Sequence, residues 1–224
     1  YSLKTIMTIS IDVSEEPDNN WNNRLSKSSM GTIYQSIEIS THFKNIGQTP
    51  LFLKFIDSKG NIVGQVLIRI YVPNNDFKRK SYYRIFNKKV CEWSYGPIIF
   101  DSEYKNEIFE KFGKYLLENK FKISGTVHPL ISNQDSFLEN NFKIIPWSTY
   151  IIDLEIDKDK LFKNISKSNG QKNIKRAKKR GVIVEEINEK NLFEFHDLRS
   201  QVMKLSNSSF QDYDVTKKWW NLLQ

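Results

Sequence analysis

The residues best suited by type and spacing to do chemistry are cations. From Lys167 to Arg180 the chain reads KSNGQKNIKRAKKR, seven basic residues and no acidic one. At helical spacing Lys172, Arg176 and Lys179 share one side, with Arg180 near it and Lys175 in the same run. Like charges so placed repel, which points to an anion partner. Arg offers phosphate oxygens a planar fork, and Lys offers a mobile point charge. The competing reading is a solvated face, since cations near a helix C-terminus are favourable without any ligand. A diphosphate, an RNA backbone and a lipid headgroup are the candidate anions. Ile174 and Ala177 make too thin an apolar face for a helix lying in a membrane. A second, weaker basic stretch interleaves Lys78, Arg79, Lys80 and Arg84 with Tyr82, Tyr83 and Phe86.

The other reactive side chains are scattered. His128 precedes Pro129 at the expected end of a strand, so it is a candidate cleft residue. Asp101 and Glu103 follow another strand end, where they border a cleft or cap the next helix. His42 and His196 stand alone. No Ser-His-Asp or Cys-His set follows from the spacing, so no catalytic residue is assigned. Three histidines without clustered partners define no metal site, and no cofactor is expected. The one cysteine, Cys91, lies among apolar and aromatic residues and reads as a buried thiol. A lone cysteine also excludes an internal disulfide framework and points to a reducing compartment.

These residues must be carried by a folded chain. The 224 residues suffice for one domain and part of another. Fifteen Phe, ten Tyr and five Trp can fill a core, which argues against disorder. The formal charge of +8 favours anionic partners, and most of it coincides with the single run 167–180. No stretch approaches 18 consecutive apolar residues, so no transmembrane helix is expected, and no secretory signal opens the chain.

The patterning predicts a strand over Lys4 to Val13, then a short helix anchored by Trp21. Leu51–Ile56 and Ile62–Val72 flank DSKGN and form a predicted hairpin. Val90–Phe100 reads as a strand broken at Gly96 and Pro97. Tyr104–Asn119 has the spacing of an amphipathic helix. A strand ending near His128 follows, then a short helix capped from Ser132–Gln134. Strands are also predicted over Tyr150–Ile156 and Val182–Ile187, on either side of the basic helix that Gly181 ends. Further helices cover Leu192–Leu205 and the residues after Asp214. The order is strand, helix, antiparallel strands, helix, strand, and after the basic run a pattern of strand, helix, helix starts again.

On these residues the chain resembles the FemABX family of aminoacyltransferases. The clearest likeness is WSTYIIDLEIDKDKLFKNISKSNGQKNIKRAKKRGVIVEE, residues 147–186, with its Asn173-Ile174 pair, basic neighbours and closing Gly181-Val182. MGTIYQSIEI, DSKGNIVGQVLI and YGPIIF resemble first-domain segments.

The resemblance implies a mixed α/β fold: a GNAT-like acyltransferase domain with a mostly antiparallel central sheet, then the start of a second. The expected bounds are 1–156 for the first domain, 157–181 for a basic helical connector and 182–224 for the incomplete second. It implies amide formation between an activated amino acid, carried on tRNA, and an amine of a phosphate-bearing peptidoglycan precursor. Lys172, Lys175, Arg176 and Lys179 would contact the diphosphate. The implied setting is the cytoplasm, with transient association at the inner membrane face. A non-catalytic anion- or RNA-binding protein of the same fold stays open, as does an acyl-CoA-dependent N-acyltransferase. The chain contains no Arg/Gln-x-x-Gly-x-Gly/Ala loop to cradle an acyl-CoA pyrophosphate.

Overall fold

The computed structural model describes residues 9–73, 88–131, 137, 139, 142–208 and 210–222. The chain divides into two compact units, Tyr1–Trp147 and Ser148–Gln224.

The first unit is built on one sheet. β1 (Ser10–Ser14), β2 (Thr49–Ile56), β3 (Ile62–Tyr71) and β4 (Val90–Trp93) pair antiparallel in that order. β5 (Ile98–Ile99) pairs antiparallel with β3 at Gly64 and Gln65. β6 (Lys122–Gly125) runs parallel to β4. The expected mixed α/β fold with a mostly antiparallel sheet is therefore present. Residues 4–8 of the predicted first strand lie outside the described residues, as do 74–87 and the cap expected at Ser132–Gln134.

The hairpin forms because its turn satisfies itself. Asp57 Oδ1 accepts the amides of Lys59 and Asn61 at 2.9 and 2.8 Å. Gly60 takes φ +86°, where a side chain would be strained. Strand alternation then sorts the side chains onto two faces. Leu53, Phe55, Val66, Ile68, Cys91 and Trp93 are buried with Ile108, Phe109, Phe112 and Leu116. Those last four belong to α3 (Lys105–Glu118), whose apolar residues recur at three- and four-residue spacing. Phe52 and Leu67 face the other way, towards α1 (Trp21–Ser26) and α2 (Ile37–Asn45). Trp21 is fully buried, meets Phe52 edge-on at 4.8 Å and donates Nε1–H to Gln35 O at 2.7 Å. Burying a side chain of this size contributes about 3 kcal/mol.

The second unit is helical among the described residues. α4 (Lys158–Asn164) is capped by Asp157, whose Oδ1 accepts from Asp159 N at 2.9 Å. A π-helical turn, Lys167–Gln171, leads without interruption into α5 (Lys172–Lys179). Ile165, which is extended, and Ser166 separate that turn from α4. α6 (Leu192–Leu205) and α7 (Tyr213–Leu222) follow. Among the described residues of α6, only Leu192 is buried, so the expected apolar side stays largely open.

Two predicted strands are absent. Tyr150–Ile156 and Val182–Ile187 take no strand structure, and Leu154 and Val184 are 82% and 94% exposed. A strand is completed by a neighbouring ladder, and no described segment pairs with either stretch. The sheet of a second acyltransferase-like domain is thus not formed by the described residues.

Candidate functional site

β4 and β6 are the parallel pair of the sheet, with Trp93 opposite Gly125 at their carboxyl ends. In open α/β sheets, ligands bind in the crevice beyond the carboxyl ends of such strands. Here the loops Ser94–Pro97 and Thr126–Pro129 meet at that edge. Thr126 N donates to Trp93 O at 3.2 Å, and Gly96 N donates to Thr126 O at 3.1 Å. Tyr95 N donates to Thr126 Oγ1 at 3.0 Å, and Trp93 Nε1–H donates to Gly96 O at 3.1 Å. Gln35, fully buried, supports the loop from beneath. Its Nε2 donates to Ser94 O at 2.8 Å and to Leu67 O at 3.2 Å, while its Oε1 accepts from Leu67 N at 2.7 Å.

This lattice holds Tyr95 at φ +55°, a left-handed conformation uncommon for a bulky residue. Its ring lies 5.3 Å from that of Tyr34, 6.0 Å from that of Trp147 and 6.4 Å from that of His128. Tyr34 and Trp147 are each about half exposed, at 46% and 49%. The result is an accessible aromatic strip with two phenol hydroxyls and an imidazole. Such a surface can hold the face of a sugar, base or peptide ring while the polar groups orient it. A strained residue kept in place by a dense hydrogen-bond lattice is characteristic of functional positions.

His128, expected at a strand end beside a cleft, is in this cluster. Its Nδ1 accepts from Leu130 N at 3.2 Å. Burial holds its pKa below the ordinary histidine value. Asp101 is not brought to the cluster. Its amide bonds Val63 O near the start of β3, and its Oδ1 caps the 3-10 turn Ser102–Tyr104 by accepting from Glu103 N at 3.0 Å. Tyr34, Tyr95, Thr126 and Trp147 escape a reading of local pattern. The one signal in the sequence is the aromatic residue set directly before Gly96-Pro97 at the strand break.

The remaining reactive groups have structural surroundings. The Cys91 thiol is buried and pushed up to about 12 by desolvation, so it is not a nucleophile at neutral pH. His42 is buried on α2, and His196 Nδ1 lies 2.9 Å from Thr216 Oγ1. No group of three or more potential metal ligands occurs among the described residues.

In the second unit, Lys172, Lys175, Arg176 and Lys179 all lie on α5, exposed as a set. Among the described residues none of them forms an ion pair. Gly181, at φ +75°, closes the helix: Gly181 N bonds Lys178 O and Val182 N bonds Ala177 O, both at 3.1 Å. The carbonyl end of the helix therefore sits beside Lys178, Lys179 and Arg180, which stabilises them locally. Among the described residues no helix is long and apolar enough to cross a membrane.

No family model matches the chain, and no curated protein matches it either. Among solved structures it is similar to a crystal structure of FemX, with a TM-score of 0.63 and 14% sequence identity. The match covers 94% of this chain and 54% of that one, so the chain spans about half the length of the FemX structure. At this level of identity the likeness is one of fold: over nearly all its length, the chain follows the fold of the FemX structure.

Proposed function

We propose that the chain belongs to an aminoacyltransferase. It would join an activated amino acid, carried on tRNA, to an amine of a phosphate-bearing cell-wall precursor. The observation carrying this reading is the FemX-like fold across 94% of the chain. The aromatic and histidine cluster at the carboxyl ends of β4 and β6 supports it, because it supplies a built surface for an acceptor. Residues 157–181 are read as a basic connector and 182–224 as the opening of a second domain of the same kind. The setting is the cytoplasm, at the inner face of the membrane.

The chemistry asks for positioning more than covalent help. The acceptor amine nitrogen attacks the ester carbonyl carbon, a C–N bond forms and the ester C–O bond breaks. The ribose hydroxyl oxygen leaves and ends with the proton that the amine gives up. Alignment of the two substrates and stabilisation of the developing oxyanion supply most of the acceleration. Lys172, Lys175, Arg176 and Lys179 are assigned to the diphosphate of the acceptor.

The unpaired run of cations on α5 also favours a second reading, an anion- or RNA-binding protein of the same fold without transfer activity. One experiment separates the two. The intact polypeptide is incubated with radiolabelled aminoacyl-tRNA and a muramyl-peptide diphosphate precursor, with acetyl-CoA as control donor. Label in the precursor from aminoacyl-tRNA supports transfer. Acetyl transfer alone favours the acyl-CoA alternative. Binding of RNA or precursor without transfer from either donor overturns the enzyme reading.

A further inference from the structure

His128 has an asymmetry that its neighbours impose. Leu130 N–H donates to Nδ1 at 3.2 Å, within the turn that Ile131 N closes on His128 O at 3.0 Å. A nitrogen that accepts an N–H has its lone pair in use and carries no proton. The ring proton of the neutral imidazole is therefore on Nε2. The described residues give Nε2 no hydrogen-bond partner, and no buried side-chain nitrogen or oxygen among them lacks one. Nε2 consequently opens to solvent, on a ring whose centroid lies 6.4 Å from that of Tyr95.

We propose that His128 serves this site as a neutral hydrogen-bond donor, presenting Nε2–H to a ligand carbonyl oxygen, and not as the base that deprotonates the acceptor amine. The identity of that oxygen, the ester carbonyl of the aminoacyl donor, rests on the proposed function. As the amine adds, the carbonyl electron pair moves to oxygen and Nε2–H holds the developing charge. No proton changes hands at His128, so the amine proton leaves by way of the departing ribose oxygen or a substrate group. A base role needs the opposite tautomer. It would leave Leu130 N–H facing Nδ1–H, donor against donor, each time the ring took up a proton. The downward pKa shift from burial acts in the same direction, by keeping the ring neutral.

Two measurements on the intact protein test the assignment. The first is nitrogen-15 NMR of the three histidine rings at pH 7.5, with the His128 signals identified by their loss in His128→Gln. The expected spectrum shows a bare Nδ1 and a protonated Nε2; a protonated Nδ1 in the neutral ring overturns the assignment. The second compares variants in the transfer assay. His128→Ala is expected to lower kcat/KM by about 100- to 1,000-fold. His128→Gln keeps an N–H donor but cannot act as a base near neutrality, and should recover to within about tenfold of wild type. A folded His128→Gln as poor as His128→Ala overturns the donor role. If the wild type transfers nothing from any donor, the proposed function falls, and the tautomer alone decides whether His128 is a donor.

Discussion

The Tyr95 amide donates to the Thr126 hydroxyl oxygen at 3.0 Å, so one side chain adds to the backbone bonds that fasten the loop ending β4 to the loop ending β6. Thr126→Val keeps the shape and removes the acceptor. The half-buried amide loses its partner, at a cost of about 1 kcal/mol or somewhat more. Thr126→Ser restores the oxygen and should recover most of that stability. Urea denaturation of the three proteins checks this, and equal midpoints for Val and Thr would show that the bond contributes nothing.

Tyr95 itself separates backbone strain from ring function. At φ +55° an alanine carries the steric cost of the left-handed region, whereas glycine does not. Tyr95→Gly should therefore be more stable than Tyr95→Ala by about 1 kcal/mol. Both lack the ring that touches Tyr34, Trp147 and His128, so both should bind acceptor weakly. Tyr95→Phe keeps the ring and should stay within a few-fold of wild type. Calorimetric titration with the muramyl-peptide precursor supplies the affinities.

What could be read in the sequence was what neighbours in sequence decide. The β2–β3 hairpin is announced by Asp57 and Gly60, and α3 by Ile108, Phe109, Phe112 and Leu116. The basic helix is visible in Lys172–Lys179 because charge needs no partner to be counted. The aromatic strip is not legible, since Tyr34, Tyr95 and Trp147 are distant in sequence and the Tyr95 loop is held by the pairing of β4 with β6 and the buried bonds of Gln35. The same rule explains the two missing strands. Ile151, Ile152, Ile183 and Val184 have strand-forming side chains, but propensity alone supplies no ladder.

The cations of α5 give a salt-sensitive prediction. Lys172→Glu, Arg176→Glu and Lys179→Glu together should abolish binding of the diphosphate precursor at low salt, a loss of at least about 100-fold. They should also flatten its dependence on ionic strength. Glu is a good helix former, although one beside the carbonyl end costs about 0.5 kcal/mol. Far-ultraviolet circular dichroism should therefore change little. Unchanged affinity in a folded triple variant removes these residues from the binding surface.

His42 makes stability depend on acid. Desolvation first, and then the Arg69 charge, lower its pKa from the ordinary 6.5. The unfolded chain therefore binds a proton more readily than the folded one. The stabilisation is fully present above pH 6.5 and is lost as pH falls from there through the folded value. His128 contributes in the same direction. His42→Gln should shrink the loss of denaturation midpoint on acidification through this window, and the double variant with His128→Gln should shrink it further. A wild-type midpoint that rises on acidification would contradict the sign.

Gly125 ends β6 directly against the Trp93 ring, at the strand ends from which the loops carrying Tyr95 and Thr126 leave. A Cβ built there would lie 2.0 Å from Trp93 Cε2 and 2.2 Å from Cδ2. Real contacts cannot be that short, and the obstacle is a rigid indole that also meets Phe112 at 5.0 Å and donates Nε1–H to Gly96 O. Gly125→Ala must therefore displace either the strand or the ring. Overpacking of this kind costs about 1–3 kcal/mol. Either displacement also disturbs the Gly96–Thr126 bonding that holds Tyr95. The variant should lose both stability and acceptor affinity. Adding Trp93→Phe, which shortens the ring, should recover part of the stability while leaving Gly96 O without its indole donor. Urea denaturation measures the first effect and calorimetric titration the second. Wild-type stability in Gly125→Ala alone would show that β6 and β4 are not packed this closely.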